Sequence, residues 1–396
     1  MRPVSDGELL LKDLSTTLFA SLPRRDQRRK GEQYLRGLLA AQGRRSIRNI
    51  AACLGDPALD QSLHHFICSS TWDWMPMREA LADWLEPNVR PQAWVVRQLS
   101  IPKSGRHSVG VGRGFDHHLD QEFHGQRAFG LWAASERASA PVNWRLLCAD
   151  RPTADGGGPS PSAQPRRTGE PRYGETTDDC ATAVALDFAR LHDAARRPVV
   201  LDVPVEDPAG VIRRFDRAGV RALVRVAGTE RLSVEDPTLP GHGLGALEAR
   251  RILDSAGGLR RLVGWPDPTA PSGVRRASAA AVRVGLPGAD PGLPGGRDSG
   301  LVLVGEWDDP RRRPTGLWLG NLAGAPASTL LRLTKLADRV GRDLAGFGDR
   351  AGLRDFEGRS LRGWHCHSTL ASAAHAVEVL MAAHGETEDH APKIPA

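Results

Sequence analysis

The sequence predicts an α/β protein in which a helical N-terminal region precedes a mixed β-sheet. Residues 8–88 place apolar side chains three and four positions apart, which is the period of an amphipathic helix. From Ala93 onward the apolar residues follow the period of two that half-buried strands show. After Pro198, apolar strands alternate with helical segments, as in α/β domains. With 396 residues, 40% of them hydrophobic, the chain is long enough for two or three domains.

Composition narrows the class of partner. The formal net charge is +6, and only five of the 53 basic residues are lysine. An arginine excess can reflect a GC-rich gene, but it also supplies planar donors suited to phosphate. The five cysteines show no metal-binding spacing, which favours a reduced, cytoplasmic protein. No leader pattern and no apolar run near the ~20 residues of a membrane span occur, so neither secretion nor membrane insertion is expected.

The N-terminal helical domain, predicted over residues 1–88, contains a pair of short helices. Ser46 is suited to cap a helix over residues 47–54, Gly55 helps to stop it, and a second helix can begin near Asp60. This arrangement is typical of a helix-turn-helix, although many helical hairpins bind nothing. A DNA-binding motif and a simple hairpin both remain open.

Two groups of arginines accompany these helices. One precedes an amphipathic helix, and the other surrounds the start of the helix that Ser46 caps. Such a charge run is usually a solvated face, but it also suits contacts to DNA phosphates. The candidate DNA-binding residues of this region are Arg24, Arg25, Arg28, Arg44, Arg45 and Arg48.

The segments after Ala93 predict an antiparallel meander of four strands. Turns are expected at residues 103–105 and around Gly125. Lys103, Arg106 and His107 lie at the first of these turns, where basic side chains could contact the DNA backbone. The predicted strands cover residues 93–101, 107–113, 128–137 and 142–148.

Two stretches rich in glycine and proline interrupt the pattern. Residues 150–178 carry too few apolar side chains to fold alone, and a flexible linker and a shifted reading frame both remain open. The second stretch, Gly285–Gly300, lies within residues 229–314. Alternating apolar segments in that region favour a β-rich insertion.

Two motifs resemble the insertion-sequence transposases of the DDE class, which have an RNase H-like fold. They are Pro-Lys-x-Gly-x-His-Ser-Val-Gly-Val from Pro102 and Glu-Gly-Arg-Ser-x-x-Gly-Trp-His-x-His from Glu357. The likeness covers most of residues 18–148, 196–226 and 315–380. It implies an RNase H-like domain over residues 89–228 (with the linker at 150–178) and 315–384, interrupted by an insertion at 229–314 and followed by a polar tail at 385–396.

Transposases of this class cleave DNA with divalent metal, Mg²⁺ or Mn²⁺, held by three acids, and the resemblance locates each acid position. Arg97 and Gln98 stand at the first. Asp202, at the end of a strand, matches the second and is the predicted catalytic and metal-binding carboxylate. The third falls on Gly341, and the nearby Asp343 is either a substitute acid or an ordinary surface residue. The sequence therefore predicts impaired cleavage.

The resemblance also implies that the protein binds double-stranded DNA as a homo-oligomer, in the cytoplasm at the nucleoid. Arg359, His365 and His367 of the second motif are candidate DNA contacts, with packing an equal alternative for His367. Three functional readings remain open: an insertion-sequence transposase with impaired catalysis, a transposase-derived DNA-binding or regulatory protein without catalysis, and a non-functional remnant.

Overall fold

A computed structural model describes residues 6–56, 58–105, 107–148, 173–192, 196–287, 300–309 and 311–389. Arg106 lies outside the described residues. So does most of each of three predicted segments, which are the linker, the second Gly/Pro-rich stretch and the polar tail. The chain divides into two compact units. The first comprises residues 1–91, 98–184 and 339–396, and the second comprises residues 92–97 and 185–338.

Helices dominate the start of the first unit, as the apolar spacing predicts. Leu14 and Leu18 are fully buried on the first helix, and Tyr34, Leu35 and Leu38 are fully buried on the second. Arg25, Arg28 and Arg29 of the second helix are exposed. The helices are α1 (Asp6–Leu18), α2 (Arg25–Ala40), α3 (Ile47–Cys53), α4 (Leu59–Cys68) and α5 (Met75–Val89).

The predicted cap of α3 is confirmed. The Ser46 hydroxyl accepts a hydrogen bond from the Asn49 backbone amide at 3.2 Å, which satisfies one of the unpaired amides of the first turn. The helix ends at Cys53, and α4 begins at Leu59. The two short helices therefore form as the sequence predicts, and their role as a DNA-binding motif stays a prediction.

The strands of the first unit depart from the predicted meander. They are β1 (Ala93–Pro102, of which residues 98–102 belong to this unit), β2 (Val111–Asp116), β3 (Gln121–Ala134) and β4 (Ser139–Leu146). The long strand β3 pairs antiparallel with β2 over its first residues and with β4 over its later ones. The sheet order is β2-β3-β1, so β1 and β2 are not neighbours and residues 103–105 form no hairpin turn.

Gly125 lies within β3 rather than at the turn that the sequence predicts. A Cβ atom at this position would lie 2.1 Å from the Ile101 carbonyl oxygen, so no larger residue fits beside β1. The prediction of a turn was wrong because a glycine permits either a turn or a close approach of backbones. Only the pairing of distant strands distinguishes the two.

The strands of the second unit form a continuous part of a mixed sheet of twelve strands. Residues 94–97 of β1 pair parallel with β5 (Val199–Asp202), and β5 pairs parallel with β6 (Ala222–Arg225). The sheet continues through antiparallel neighbours in the order β6-β12-β11-β10-β7-β8, with β9 also paired to β10. These strands are β7 (Arg231–Val234), β8 (Ala246–Glu248), β9 (Arg261–Pro266), β10 (Val274–Gly285), β11 (Leu301–Trp307) and β12 (Gly316–Gly320).

The remaining helices follow the predicted order. Val200, Leu201, Leu223 and Val224 are fully buried in the second unit, as expected for short parallel strands covered on both faces. Alternation of strand and helix after Pro198 is confirmed, as is the α/β fold class. The helices are α6 (Thr177–Ala189), α7 (Pro208–Arg217), α8 (Ala249–Ser255), α9 (Ala327–Phe347, divided between the units after residue 338) and α10 (Leu361–Asp389, in the first unit).

Candidate active site and nucleic-acid interface

Asp202 is the last residue of β5, at the position that the sequence predicts for a catalytic carboxylate. The parallel register of β1 and β5 places Arg97 directly opposite Asp202. The aspartate is 4% exposed, so its charge is removed from most of the solvent. A carboxylate in such surroundings needs a cation or several donors to remain ionised.

Two guanidinium groups supply that charge. Arg97 Nη1 lies 2.5 Å from one carboxylate oxygen of Asp202, and Arg225 Nη1 lies 3.2 Å from the other. The Arg97 side chain is 14% exposed, whereas that of Arg225 is 45% exposed and lies over the Trp318 ring. Both oxygens of Asp202 therefore accept from guanidinium groups, and these three side chains together carry one net positive charge.

Gln98, the other residue at the first acid position, also bonds within the protein. Its amide nitrogen donates to the Phe115 carbonyl at 3.0 Å and lies 3.3 Å from the Ser100 hydroxyl. The side chain is buried, and it offers an amide where the resemblance expects a carboxylate. Neither residue at the first position contributes a negative charge.

Asp343 is buried, which corrects the alternative of an ordinary surface aspartate. One carboxylate oxygen accepts hydrogen bonds from the Ser139 backbone amide and hydroxyl, each at 2.7 Å. Arg339 donates to both carboxylate oxygens, at 3.0 and 2.8 Å. Burial raises the pKa of this carboxyl group, while Arg339 and Ser139 act in the opposite direction. This bonding favours a packing role, because the donors that surround the carboxylate belong to the protein.

The first group of predicted DNA-binding arginines is exposed. Arg24 pairs with Asp26 at 3.3 Å, and Arg28 donates to the Leu22 carbonyl at 2.7 Å, which ties the start of α2 to the preceding turn. Arg25 and Arg48 are exposed at the starts of α2 and α3. This placement fits a solvated face and a phosphate-binding face equally.

Two arginines of the second group, Arg44 and Arg45, lie together. They line a cavity in the first unit with Lys103 and with residues of the segment 349–355. The segment that follows contains Arg359, which is the exposed arginine of the motif Glu-Gly-Arg-Ser and whose carbonyl accepts from the Val109 amide at 3.2 Å. His107 is exposed in the same loop as Lys103. The two motifs of the sequence therefore lie side by side.

His367 is buried, and both of its ring nitrogens are bonded within the protein. Nδ1 lies 2.8 Å from the Tyr34 hydroxyl, and Nε2 lies 2.8 Å from the Gly352 carbonyl. Since a carbonyl only accepts, Nε2 carries the proton and Nδ1 accepts from Tyr34. Burial lowers the pKa of His367 to about 4. This geometry favours the packing alternative that the sequence leaves open.

His365 is partly buried and also bonds within the protein. Its ring stacks on Trp74 with the centroids 4.6 Å apart, and its Nδ1 accepts from the buried guanidinium of Arg78 at 3.0 Å. The remaining donors of Arg78 reach Thr369 and Asn143, each at 2.8 Å. Burial lowers the pKa of His365 well below its ordinary value. Contact with DNA through this histidine stays a prediction that the geometry does not favour.

Comparison with known proteins identifies the family. The profile of the DDE superfamily endonucleases matches residues 17–240, which is more than half of the 396-residue chain. The chain belongs to the DDE superfamily endonucleases. This membership supports a transposase or nuclease role on DNA, and the α/β architecture is consistent with the RNase H-like fold. A search of curated proteins found no match.

DDE superfamily endonucleases use divalent metal ions, and the residues of this member do not fit that requirement. Divalent ions of this kind take oxygen ligands from several carboxylates. At the first and third acid positions that the resemblance predicts, this chain offers Arg97, Gln98 and Gly341, and at the second, Asp202 is already held by two guanidinium groups. Within the described ranges, no three histidine, cysteine, aspartate or glutamate side chains group closely enough to hold a metal ion.

No sequence pattern indicated the role of several arginines in this DDE superfamily member. Arg225 ends β6 just as Asp202 ends β5, and adjacent parallel strands end at the same edge, so strand order could have predicted their pairing. Arg350 and Arg354 line the cavity with Arg44 but are more than 300 residues away from it in the sequence, and no local pattern indicates that they meet. In the part of the chain that the structure describes, none of the helices combines the length and apolar character that crossing a bilayer requires.

Proposed function

We propose that this DDE superfamily endonuclease derives from an insertion-sequence transposase, binds double-stranded DNA, and has strongly impaired metal-dependent cleavage. It would act at the nucleoid as a homo-oligomer, since paired DNA ends require more than one copy. Any metal that supports residual cleavage would be Mg²⁺ or Mn²⁺. The observation that carries the proposal is the ion pair between Arg97 and Asp202.

The pairing matters because it opposes metal binding in two ways. The guanidinium of Arg97, 2.5 Å from the Asp202 carboxylate, has the same sign of charge as a metal ion and repels it. Arg225 reaches the other oxygen, so both acceptor atoms would have to exchange a protein donor for the metal. The low exposure of Asp202 strengthens these interactions relative to those of a surface pair.

DNA binding has separate support. Family membership implies a DNA substrate. Exposed arginines at the starts of α2 and α3 and the cationic cavity of the first unit supply groups that could contact phosphates without any metal. Loss of cleavage therefore does not imply loss of binding.

The test incubates the purified chain with double-stranded DNA flanking its own gene, with Mg²⁺, Mn²⁺ or EDTA. Mobility shift measures binding, and a denaturing gel measures nicking. The matched control is Asp202→Asn, which keeps the shape of the side chain and removes its charge. We expect specific binding in every buffer and no nicking by either protein.

Each other outcome contradicts the proposal. Nicking by the unmodified chain that disappears in the Asp202→Asn variant would mean an active transposase with an unconventional set of acids. Absence of both binding and nicking would mean a non-functional remnant. Binding that requires metal would mean that the divalent ion is still held.

A variant that places a carboxylate at the predicted first acid position allows a second measurement. Arg97→Asp places a carboxylate opposite Asp202, and the two acids repel each other unless a cation lies between them. We expect Mn²⁺ to stabilise this variant, by about 2.7 kcal/mol when the metal is at roughly 100 times its Kd. Thermal unfolding with Mn²⁺ and with EDTA measures the effect.

The control for that measurement is Arg97→Asn, which removes the same guanidinium without adding an acid. It should respond to Mn²⁺ no more than the unmodified chain does. Equal Tm values for Arg97→Asp with and without metal would contradict the assignment of Arg97 to the first acid position.

A further inference from the structure

A cavity of about 660 Å³ in the first unit has an excess of positive charge. Its acidic lining residues are Asp349 and Asp355, so cations outnumber carboxylates by five to two. A volume of this size is within the range that small-molecule sites span. The cationic lining residues are Arg44, Arg45, Lys103, Arg350 and Arg354.

The ion pairs around the cavity leave much of this charge exposed. Arg44 lies 4.0 Å from Asp355 and 3.4 Å from Glu357, and its side chain remains 56% exposed. Arg350 lies 3.4 Å from Glu378 with its side chain 62% exposed. Distances of this length in solvent indicate loose pairs that contribute little energy. A stronger anion could therefore replace these partners at low cost.

The other three cations are held firmly. The Arg45 backbone amide donates to Asp355 at 2.7 Å, and its guanidinium donates to the Gly43 carbonyl. The ammonium group of Lys103 donates to the Phe356 carbonyl. Arg354 donates to the Ser100 carbonyl at 3.1 Å and pairs with Asp349. These bonds tie three distant segments of the chain into one wall.

Gly352 permits the segment 349–355 to pack closely against Arg45. Its φ angle is +78°, and a Cβ atom there would lie 2.8 Å from the Cβ of Arg45. Beneath it, the Gly352 carbonyl accepts from His367, which in turn accepts from Tyr34. The cavity therefore rests on a buried hydrogen-bonded chain, and three of its cations, Arg45, Lys103 and Arg354, are positioned before any ligand arrives.

A bound phosphate would also favour the charged form of Lys103. Burial lowers the pKa of its ammonium group and the nearby charge of Arg44 lowers it further, whereas Asp355 and Glu357 raise it. A phosphate bound between Lys103 and Arg44 would offset the two lowering effects, because it neutralises the repulsion and accepts hydrogen bonds from the cations.

We propose that this cavity binds a backbone phosphate of double-stranded DNA, with Arg44 and Arg350 as its exposed contacts and Lys103 and Arg354 as its inner wall. The inference rests on the proposed DNA-binding function and adds the place where the backbone is held. The lining uses charge and includes no aromatic ring, which suits a phosphodiester and gives no base specificity.

The test measures the affinity of a short duplex for the full chain by fluorescence anisotropy across a range of salt concentrations. The variant is Arg44→Gln/Arg350→Gln, which removes two exposed charges. The matched control is Arg137→Gln/Arg311→Gln, which removes two exposed charges away from the cavity lining. We expect the cavity variant to lose about tenfold or more in affinity at low salt, with the salt slope falling by about 1 per lost phosphate contact.

The outcomes separate this inference from the proposed function. Equal affinity of the two double variants would overturn the cavity site while leaving DNA binding intact. No duplex binding by the unmodified chain would instead overturn the proposed function. Circular dichroism shows whether the cavity variant folds, and Arg44→Gln alone, with an expected loss of about threefold, replaces it if it does not.

A small phosphorylated molecule in solution is the other ligand that could supply the same chemistry, and inorganic pyrophosphate serves as its probe. Inorganic pyrophosphate is titrated by calorimetry into the unmodified chain and into the cavity variant. Pyrophosphate binding that depends on Arg44 and Arg350, combined with duplex binding that does not, would assign the cavity to a small phosphorylated molecule and overturn the DNA assignment.

Discussion

Arginine has opposite roles in the two units of this chain. In the second unit, Arg97 and Arg225 are bonded to the buried carboxylate of Asp202. In the first unit, the cations that line the cavity outnumber the carboxylates that line it by five to two, and two of the arginines have side chains that are more than half exposed. The difference lies in burial and in the ratio of charges, because residue type is the same in both places.

This contrast bears on the two parts of the proposed function, impaired cleavage and retained DNA binding. The guanidinium of Arg97 brings positive charge to Asp202, the carboxylate that the resemblance predicts to bind metal. An excess of exposed cations elsewhere depends on no acid position. Binding and cleavage can therefore diverge within one chain.

The largest expected effect is on stability and concerns the Asp202 pair. Asp202→Ala leaves Arg97, with a side chain 14% exposed, without its carboxylate. We expect the free energy of unfolding to fall by about 3–5 kcal/mol, as for other buried pairs that lose one partner. Denaturant unfolding measures the change.

The matched control replaces both partners. Arg97→Met/Asp202→Leu removes the charges together and should recover most of the stability, because no buried charge remains unpaired. A loss below about 1 kcal/mol for Asp202→Ala would mean that solvent screens the pair, and the contrast between the two units would then disappear.

An effect of intermediate size is expected on how protein stability depends on pH through His367, which lies in the hydrogen-bonded chain beneath the cavity. Burial lowers the pKa of His367 to about 4, whereas the unfolded chain binds the proton near pH ~6.5. Its contribution to stability is therefore complete above about pH 6.5 and is lost as the pH falls toward 4. The full loss is about 3 kcal/mol for this group.

Chemical unfolding between neutral and acid pH measures this dependence. His367→Gln should flatten the curve in part, since burial also lowers the pKa of His365 and His375. The exposed His107→Gln serves as the control and should leave the curve unchanged. Identical slopes for His367→Gln and the unmodified chain would show that this histidine titrates normally.

The smallest expected effect concerns the exposed arginines of the N-terminal helices. Arg25→Ala/Arg48→Ala should lower the salt slope of duplex binding by about 1 per phosphate contact and change stability by no more than about 0.5 kcal/mol. Anisotropy titrations beside the Arg137→Gln/Arg311→Gln control measure it. An unchanged slope would mean that these arginines are only solvated.

Local pattern was sufficient for most individual elements. The periodicity around Tyr34 and Leu38, the cap at Ser46 and the apolar run that ends at Asp202 all depend on residues near one another, and the structure has the corresponding helices and strand. The motif likewise pointed to Arg97 at the first acid position, and the family match supports the transposase class.

What the sequence by itself determined is therefore the family of the protein and the order of its helices and strands along the chain. Which residues stand where acids are expected stays a prediction from the resemblance. Tertiary structure alone decided that Arg225 joins Arg97 at Asp202, that Asp343 is buried, and that Arg44 and Lys103 share a cavity with Arg354. The reason is physical: helix and strand propensities act over a few residues, whereas these pairings join side chains far apart in the chain and depend on strand order and burial.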